Sequence, residues 1–572
     1  PTSPFPSSAG VKKSNFNPWK TRNNYKQRFH DLLWMEEATQ AKLTRAYDLV
    51  SIDIERMSSY TEGDQLIIPA DPLVRVRCPG LTLAEKRPSV QRADRVFAWR
   101  ADGANQMMEY EGFVHRVEGE ALVLVFTADF LDKNPPGCKM NMRFSVERLT
   151  SQLMHRAVEQ VQPNIVWPDA GPTTGPEPLP LDAALAAKLP AEMSPQQLSV
   201  VKALLERTHR SVPFLLFGPF GTGKTRTLSE FLKILVAPSA ADKPKGKGGG
   251  GGGGDPTPRV LVCSPSNSSA DHYVTKLSEL LPRSEQMLRL FAPHRAPRLA
   301  PTIGRYAHFD KATNLFSLPD LHTLQRYAVV VTTTRSAAML VNAGLPQGHF
   351  THIIVDEAAQ LMESEALLPL SLGGPRTSVV MAGDPEQLGP TTFTKIDSPH
   401  GLHTSIMERL SELPAYRTRS SSVCMHLTQN YRSHPQLVKL LSKISYQNRL
   451  VPCAPDDKVN ALSSWDKRAT KKSFPMLFCG VEGGAEEQEG DSPSFFNRNE
   501  ANTLVVLIAD LLESFPDGLR QEEIGLISPF LRQTQKLRQL LRSKNLGGVR
   551  VGSTEEFHGG HRAAVLHPTR VP

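Results

Sequence analysis

The apolar positions of this chain follow two periods, and the architecture changes where the period changes. From Tyr25 to Leu49, a stripe of Tyr25, Phe29, Leu32, Leu33 and Met35 recurs at helical spacing. Glu36, Glu37, Lys42 and Arg45 fall off the stripe, and the segment is expected to be a helix. Between Ser51 and Val146 the period drops towards two. Short runs at Leu66–Ile68, Val74–Val76, Val96–Trp99, Phe113–Val117 and Leu122–Phe126, parted by turn residues, predict a small β-barrel. Helical spacing returns from Arg148 to Gln160, where Leu149, Leu153 and Ala157 lie four apart, and again in SPQQLSVVKALLERT, Ser194 to Thr208. Up to Pro399, compact apolar runs then alternate with helical segments. The runs are Phe214–Phe217, Val260–Cys263, Val329–Thr333, Ile353–Val355 and Val379–Ala382. Continuous apolar strands between helices indicate a parallel sheet covered on both faces. A second alternation starts near His426, with strands expected at Met476–Phe478, Ile524–Ile527 and Val549–Val551. Its helices are expected near Pro435–Ile444, Glu500–Leu512 and Arg532–Arg542.

The expected order is therefore a linker over 1–21, a stalk helix over 22–50, a β-barrel over 51–147, and a second stalk helix with a Pro-rich connection over 148–190. A first α/β sheet domain over 191–424 and a second over 425–572 complete it. A low-complexity Gly-rich insertion, 238–258, interrupts the first and reads as a flexible surface loop. Composition changes this picture little. The 572 residues suggest about four domains. No run of about 20 apolar residues occurs, so no membrane-spanning helix and no membrane partner are expected. The first residue is Pro1 with no signal-peptide pattern behind it, which reads as a fragment. Six scattered cysteines without a C-x-x-C pair suggest reduced thiols and no zinc site. A net charge of +8 permits a polyanionic partner without requiring one.

Candidate chemistry sits at the strand ends. PFLLFGPFGTGKT, Pro213 to Thr225, fills the pattern G-x-x-x-x-G-K-[ST] between a buried strand and a helix. The backbone over Gly218, Pro219, Phe220, Gly221, Thr222 and Gly223, through the N–H groups of all but the proline, would surround the phosphates of ATP together with the helix start at Thr225 and Arg226. Lys224 would reach the β- and γ-phosphates and the Thr225 hydroxyl would ligate Mg²⁺. HIIVDEAAQ puts Asp356 and Glu357 at the carboxyl end of a strand, one suited to Mg²⁺ and the other to polarising the attacking water. In VVMAGDPEQLGP, Gln387 could touch the γ-phosphate and the water, although Asp384 in such a turn could equally cap a helix. In LTQNYRSHP, Arg432 could serve as an arginine finger and Tyr431 could stack on the base. Each pair alone has a structural alternative; their order downstream of a P-loop favours chemistry.

GPFGTGKT, CSPSNSSAD, VVVTTT, DEAAQ, GDPEQLGP, NYRSHP and VGSTEEFHG occur in the order seen in the up-frameshift-like superfamily 1 helicases. More closely, with NYKQRFHDLLWMEE, PGLTLAEKRPSV and YEGFVHRV upstream, the chain resembles the Armitage / Moloney-leukaemia-virus-ten RNA helicases. Zinc-finger-bearing helicases are near neighbours. The resemblance covers about Lys20 to Phe557. It implies two tandem RecA-like domains behind a stalk and barrel, ATP and Mg²⁺ as cofactors, and 5′-to-3′ movement on RNA that is single-stranded or carries a 5′ overhang. It further implies that Gln197 reads the adenine edge. Ser264, Pro265, Ser266 and Asn267, with Thr332, Thr333 and Thr334, would touch the nucleic-acid backbone. Partners in small-RNA-guided silencing and a cytoplasmic place in ribonucleoprotein granules are implied in the same way.

The chain departs from the family near its end. Phe557 is followed by His558, Gly559, Gly560 and His561, without the carboxylate expected at His561. HRAAVLHPTRVP does not resemble a buried strand, so the second RecA-like sheet is expected to be incomplete. A nucleotide-gated RNA clamp without productive turnover therefore stands beside the helicase reading. An ATPase acting on protein is disfavoured by Gln387 and Arg432.

Overall fold

The computed structural model describes residues 22–568, apart from 58–59, 63–64, 68–72, 79–89, 91–93, 103–107, 119–120, 136, 147, 169–188, 210–211, 238–257, 294, 296–298, 312–314, 395–400, 418–419, 466–473, 483–485, 488–493, 517, 554–556 and 558–563. The expected linker over 1–21, nearly all of the Gly-rich insertion, and His558 to His561 lie outside the described residues.

Two helices, α1 (Tyr25–Thr44) and α2 (Leu149–Gln160), form the stalk. Between them, six antiparallel strands close a barrel: β1 (Leu49–Met57), β2 (Leu73–Arg77), β3 (Arg95–Arg100), β4 (Tyr110–Glu118), β5 (Ala121–Phe126) and β6 (Lys139–Ser145), in the order β1-β2-β5-β4-β3-β6. Val74, Val96, Leu122, Leu124 and Met142 fill it. The expected barrel is present, with corrections. The Leu66–Ile68 run does not join it: Gln65–Ile67 pairs with Tyr60–Glu62 in a separate hairpin. β1 and β6 close it although no strand was expected there. Their inward positions in β6 are Met140, Met142 and Phe144, and methionine carries little strand signal.

The first α/β domain is a seven-stranded parallel sheet: β7 (Phe214–Phe217), β8 (Val260–Ser264), β9 (Met287–Leu290), β10 (Val329–Thr333), β11 (His352–Val355), β12 (Ser378–Gly383) and β13 (Cys424–His426), ordered β9-β10-β8-β11-β12-β7-β13. Its longer helices are α3 (Pro195–Leu205), α4 (Lys224–Val236), α5 (Asn267–Leu277), α6 (Glu363–Leu370) and α7 (Ile406–Ser411). The five inner strands are the five apolar runs. The outermost two, β9 and β13, are short and carry Arg289 and His426, so periodicity hides them. The stalk packs on one face of this sheet, where Phe29, Leu32 and Leu33 share a core with Leu215, Ile353 and Met381. The other face holds Val200, Leu216, Phe231 and Val262.

Beyond the first sheet, α8 (Pro435–Ser445) packs through Val438 beside Tyr446, Leu450 and Phe220 of the P-loop, while α9 (Arg498–Ser514) and α10 (Leu531–Ser543) cover a parallel sheet of β14 (Ile524–Ile527), β15 (Arg550–Gly552) and β16 (Ala564–Leu566). Two expectations fail here. Met476–Phe478 forms no strand; with no ladder beside it, the run leaves Met476 and Phe478 exposed. Conversely, the final stretch does supply a strand. Ala564 and Leu566 sit in parallel register with Ile524 and Leu526, making an edge strand whose Val565 is 55% exposed rather than buried.

Candidate nucleotide and nucleic-acid site

The P-loop is shaped by steric constraints at three glycines. Gly221 and Gly223 have φ of 69° and 85°, in the left-handed region that favours glycine. A Cβ on Gly218 would lie 2.6 Å from Lys224 Cγ; one on Gly223 would lie 2.6 Å from Gln197 Nε2. At these glycines a side chain would collide or strain the backbone, so the loop can close tightly enough for its backbone to cradle a phosphate. Lys224 Nζ donates to the Gly218 carbonyl at 2.6 Å and stands 3.7 Å from Glu357 Oε1. Arg226, by contrast, is exposed and pairs with Glu192 at 3.1 Å.

Strand β11 delivers Asp356 and Glu357 to the same place. Thr225 Oγ1 donates to Asp356 Oδ2 at 2.8 Å, so the hydroxyl and carboxylate assigned to Mg²⁺ are adjacent. Two oxygen donors beside a lysine and a phosphate cradle suit that ion. Burial first, and Glu357 second, push the Asp356 carboxyl above its ordinary range. Glu357 has φ of 55°, and its N–H donates to Asp356 Oδ1 at 3.0 Å. This strained turn points the two carboxylates differently.

The segment after β13 wraps back over the loop. Asn430 Nδ2 donates to the Phe220 carbonyl at 2.6 Å and Tyr431 N–H to the Gly221 carbonyl at 2.9 Å. Asn430 Oδ1 accepts from Arg432 N–H at 3.0 Å and Ser433 N–H at 2.9 Å. Arg432 is therefore carried against the P-loop. The side chain keeps an exposed surface, and the protein packed around it lowers its guanidinium from the ordinary value by partial desolvation, a shift that Glu357 opposes. Tyr431 keeps its ring partly exposed, its hydroxyl on Gln429 Oε1 at 2.6 Å. Gln387 Nε2 donates to Asp384 Oδ2 at 2.6 Å, and Tyr446 OH donates to the same oxygen at 2.8 Å. Asp384 therefore orients Gln387 rather than capping a helix.

Gln197 has a structural task. It forms a capping box with Ser194 at the start of α3, and its Nε2 donates to the Thr222 carbonyl at 3.1 Å. Its amide supports the loop from beneath, so reading an adenine edge would need that bond released.

The seven candidate nucleic-acid contacts divide. Pro265, Ser266, Asn267 and Thr333 are accessible at the ends of β8 and β10. Ser264, Thr332 and Thr334 are buried, against the expectation of a surface contact; Ser264 donates to the Ser266 carbonyl and Thr332 to that of Leu290. Ser264 ends a strand covered on both faces, and Thr332 and Thr334, two apart, flank the more accessible Thr333. Sequence reasoning missed Asn430, Tyr273 and Arg289. Tyr273 OH donates to Asp356 Oδ2 at 2.7 Å, and the fully buried Arg289 holds Asn267 Oδ1 at 2.9 Å and Asp271 Oδ1 at 2.7 Å. Asn430 was legible in principle, since asparagine commonly bonds backbone two residues on. The other two needed tertiary structure.

A cavity of about 1220 Å³ opens elsewhere, in the second domain, lined by Trp465, Phe478, Phe496, Leu504 and Val565, with Arg432 at its rim. It holds none of the P-loop residues.

P-loop, paired strand-end carboxylates and a returning arginine on an all-parallel sheet define the fold of a P-loop NTPase domain. Family comparison agrees. Two models described as "AAA domain" match, one over 192–315 and 308–395 and one over 402–569; "Helicase MOV-10, beta-barrel domain" matches 55–146. "Putative helicase mov-10-B.1" of Danio rerio is 32% identical over 96% of this chain and 53% of its own length. "RNA helicase Mov10l1" of Homo sapiens is 29% identical over 96% and 48%. "Probable helicase with zinc finger domain" of Homo sapiens is 26% identical over 93% and 27%. The chain belongs to the MOV-10-like helicases, with the zinc-finger helicases as neighbours. It spans about half the length of the MOV-10 relatives. Among the described residues, no helix is long and apolar enough to cross a membrane.

Proposed function

We propose that this chain is the motor of an ATP-dependent RNA helicase moving 5′ to 3′ on single-stranded RNA or RNA with a 5′ overhang. The observation that carries the reading is the clamp of the Asn430–Arg432 segment on the P-loop, which brings an arginine from beyond the first sheet against Gly221 and within electrostatic reach of Glu357. Lys224 would neutralise the β- and γ-phosphates and Arg432 the charge developing on the γ-phosphate; an arginine finger contributes about 10³ to 10⁵ in rate. Glu357 would orient the attacking water, helped by Gln387. Thr225 and Asp356 would hold Mg²⁺, whose charge offsets that of the phosphates. Gly218 to Gly223 would cradle the phosphates, Tyr431 would stack on the base, and Gln197 would fix the loop. Pro265, Ser266, Asn267 and Thr333 would meet the RNA backbone. The names of the relatives support RNA as the substrate, and a cytoplasmic role in ribonucleoprotein remodelling or small-RNA-guided silencing goes with it.

RNA-stimulated phosphate release from ATP tests this. The chain should show it and Lys224→Ala should abolish it; near-normal release by the variant would sink the assignment. Binding of ATP and RNA with no stimulated release would instead favour a nucleotide-gated clamp.

A further inference from the structure

Asp356 Oδ2 accepts two hydroxyl hydrogen bonds, and only one comes from the P-loop. Thr225 supplies the first at 2.8 Å; the second comes from Tyr273 at 2.7 Å, a fully buried phenol on α5. We propose that Tyr273 is a positioning residue that aims Asp356 at the metal and joins the metal site to the loop that meets nucleic acid.

The physical case has three parts. Thr225 is itself assigned to the metal, whereas Tyr273 carries no such assignment and its hydroxyl is spent on the carboxylate. A buried hydrogen bond to a charged group is among the stronger kinds, and a phenol on a packed ring is a well-fixed donor. Second, α5 begins at the nucleic-acid loop. Ser266 caps it by accepting from Ser269 N–H at 3.2 Å, and Asn267 is its first residue. Six residues of helix separate Asn267 from Tyr273, a rise of about 9 Å. Third, that first turn does not move independently. Arg289 on β9 grips Asn267 and Asp271 together, and its guanidinium lies 4.0 Å from the Phe291 ring centroid. A backbone phosphate drawn to Ser266 or Asn267 therefore acts on a braced helix whose next turns end on Asp356. Two ligands that both bias one such element are linked, and the linkage is reciprocal.

This inference rests on the helicase reading, and the test separates the two. Binding of a fluorescent ATP analogue is titrated with Mg²⁺, with and without a single-stranded RNA oligonucleotide, for the full chain and for Tyr273→Phe. Tyr416→Phe is the control, because it removes another buried hydroxyl of this domain, one that donates to the Pro213 carbonyl at 2.7 Å in the core on the stalk side of the sheet, apart from α5. In Tyr273→Phe the Mg²⁺ concentration at half-saturation should rise by about threefold or more, and the tightening of analogue binding by RNA should shrink by about threefold or more. Tyr416→Phe should change neither. In the unaltered chain, the Mg²⁺–analogue pair should slow amide exchange along 267–277, a measurement independent of any variant. A Tyr273→Phe protein that melts earlier but keeps the wild-type Mg²⁺ midpoint and RNA linkage has lost only packing, and overturns the inference. So does unchanged exchange over α5. A chain that binds neither the analogue nor RNA overturns the helicase reading as well.

Discussion

Asn430 is buried and spends both ends of its amide on backbone, one on the P-loop and the other on the turn that carries Arg432. Removing it should misplace the arginine more than the phosphate cradle, which keeps the Tyr431 N–H bond to the Gly221 carbonyl. Asn430→Ala should therefore lower single-turnover phosphate release about tenfold, about 1.4 kcal/mol of barrier, with nucleotide affinity within about threefold of wild type. An equal loss in both would mean that Asn430 serves binding. At this scale the sequence showed residue types well and orientations poorly. Lys224, Thr225, Asp356 and Glu357 announce their chemistry through spacing around strand ends. That Thr332 points inward while Thr333 is accessible depends on which neighbour covers each face of β10, and the run of three threonines does not say.

The stalk helix α1 shows the same limit for a whole element. Most of its apolar stripe was readable: Tyr25, Phe29, Leu32 and Leu33 are its buried face, but Met35, placed on the same stripe, is exposed. Glu36 and Glu37 lie off the stripe and looked solvated, yet both are buried. Glu36 accepts from Phe393 N–H at 2.6 Å and Thr394 N–H at 2.9 Å, and Glu37 pairs with Arg148. Their partners are far away in sequence, where no local period can reveal them. Edge strands β9, β13 and β16 escaped for a related reason: few residues and one unpaired side leave little apolar signature. The strongest anchor of α1 is Tyr25, whose hydroxyl donates to Glu363 Oε1 at 2.7 Å while Arg409 holds Glu363 at 2.6 Å. All three are buried, and Arg409 also lies 4.6 Å from the Trp167 ring centroid. Glu363→Ala leaves Arg409 as an uncompensated buried charge, a change that costs about 3–5 kcal/mol. For a domain of this size the first thermal transition should fall by at least about 6 °C. Replacing both partners, Glu363→Leu with Arg409→Met, should cost less than Glu363→Ala alone, because no lone charge remains. A double variant as unstable as the single would show that the pair contributes through its charge rather than through packing.

Across the whole molecule, several histidines are held neutral in places that do not touch one another, which gives the chain a common response to acid. His155 in the stalk is lowered to about 4, by burial first and then by His30 and Arg148. Its ring stacks on His30 with Nδ1 atoms 2.6 Å apart, and Glu159 sits on the far nitrogen of His30. His349 is lowered to about 4 by burial and Arg259. His209, bonded to Ser378 behind the first sheet, is lowered to about 3 by burial, with Arg207 and His352 adding to it. In the unfolded chain each would titrate near about 6.5. The folded state binds fewer protons than the unfolded one between the two values, so stability is fully present above about pH 6.5 and falls as pH drops towards 4. Asp356, whose carboxyl is raised, works in the opposite direction as the pH falls, so the histidine effect is partly offset in the first α/β domain but not in the stalk. The stalk should therefore loosen first. Trp34, whose ring centroid is 4.5 Å from that of His155, is a built-in reporter there. Urea titrations followed by tryptophan emission should show a midpoint that drops between pH 7 and pH 5, and His155→Gln should remove part of that drop while leaving the midpoint at pH 7.5 nearly in place. A midpoint that does not change over this range would mean that these histidines accept protons in the folded chain as readily as in the unfolded one.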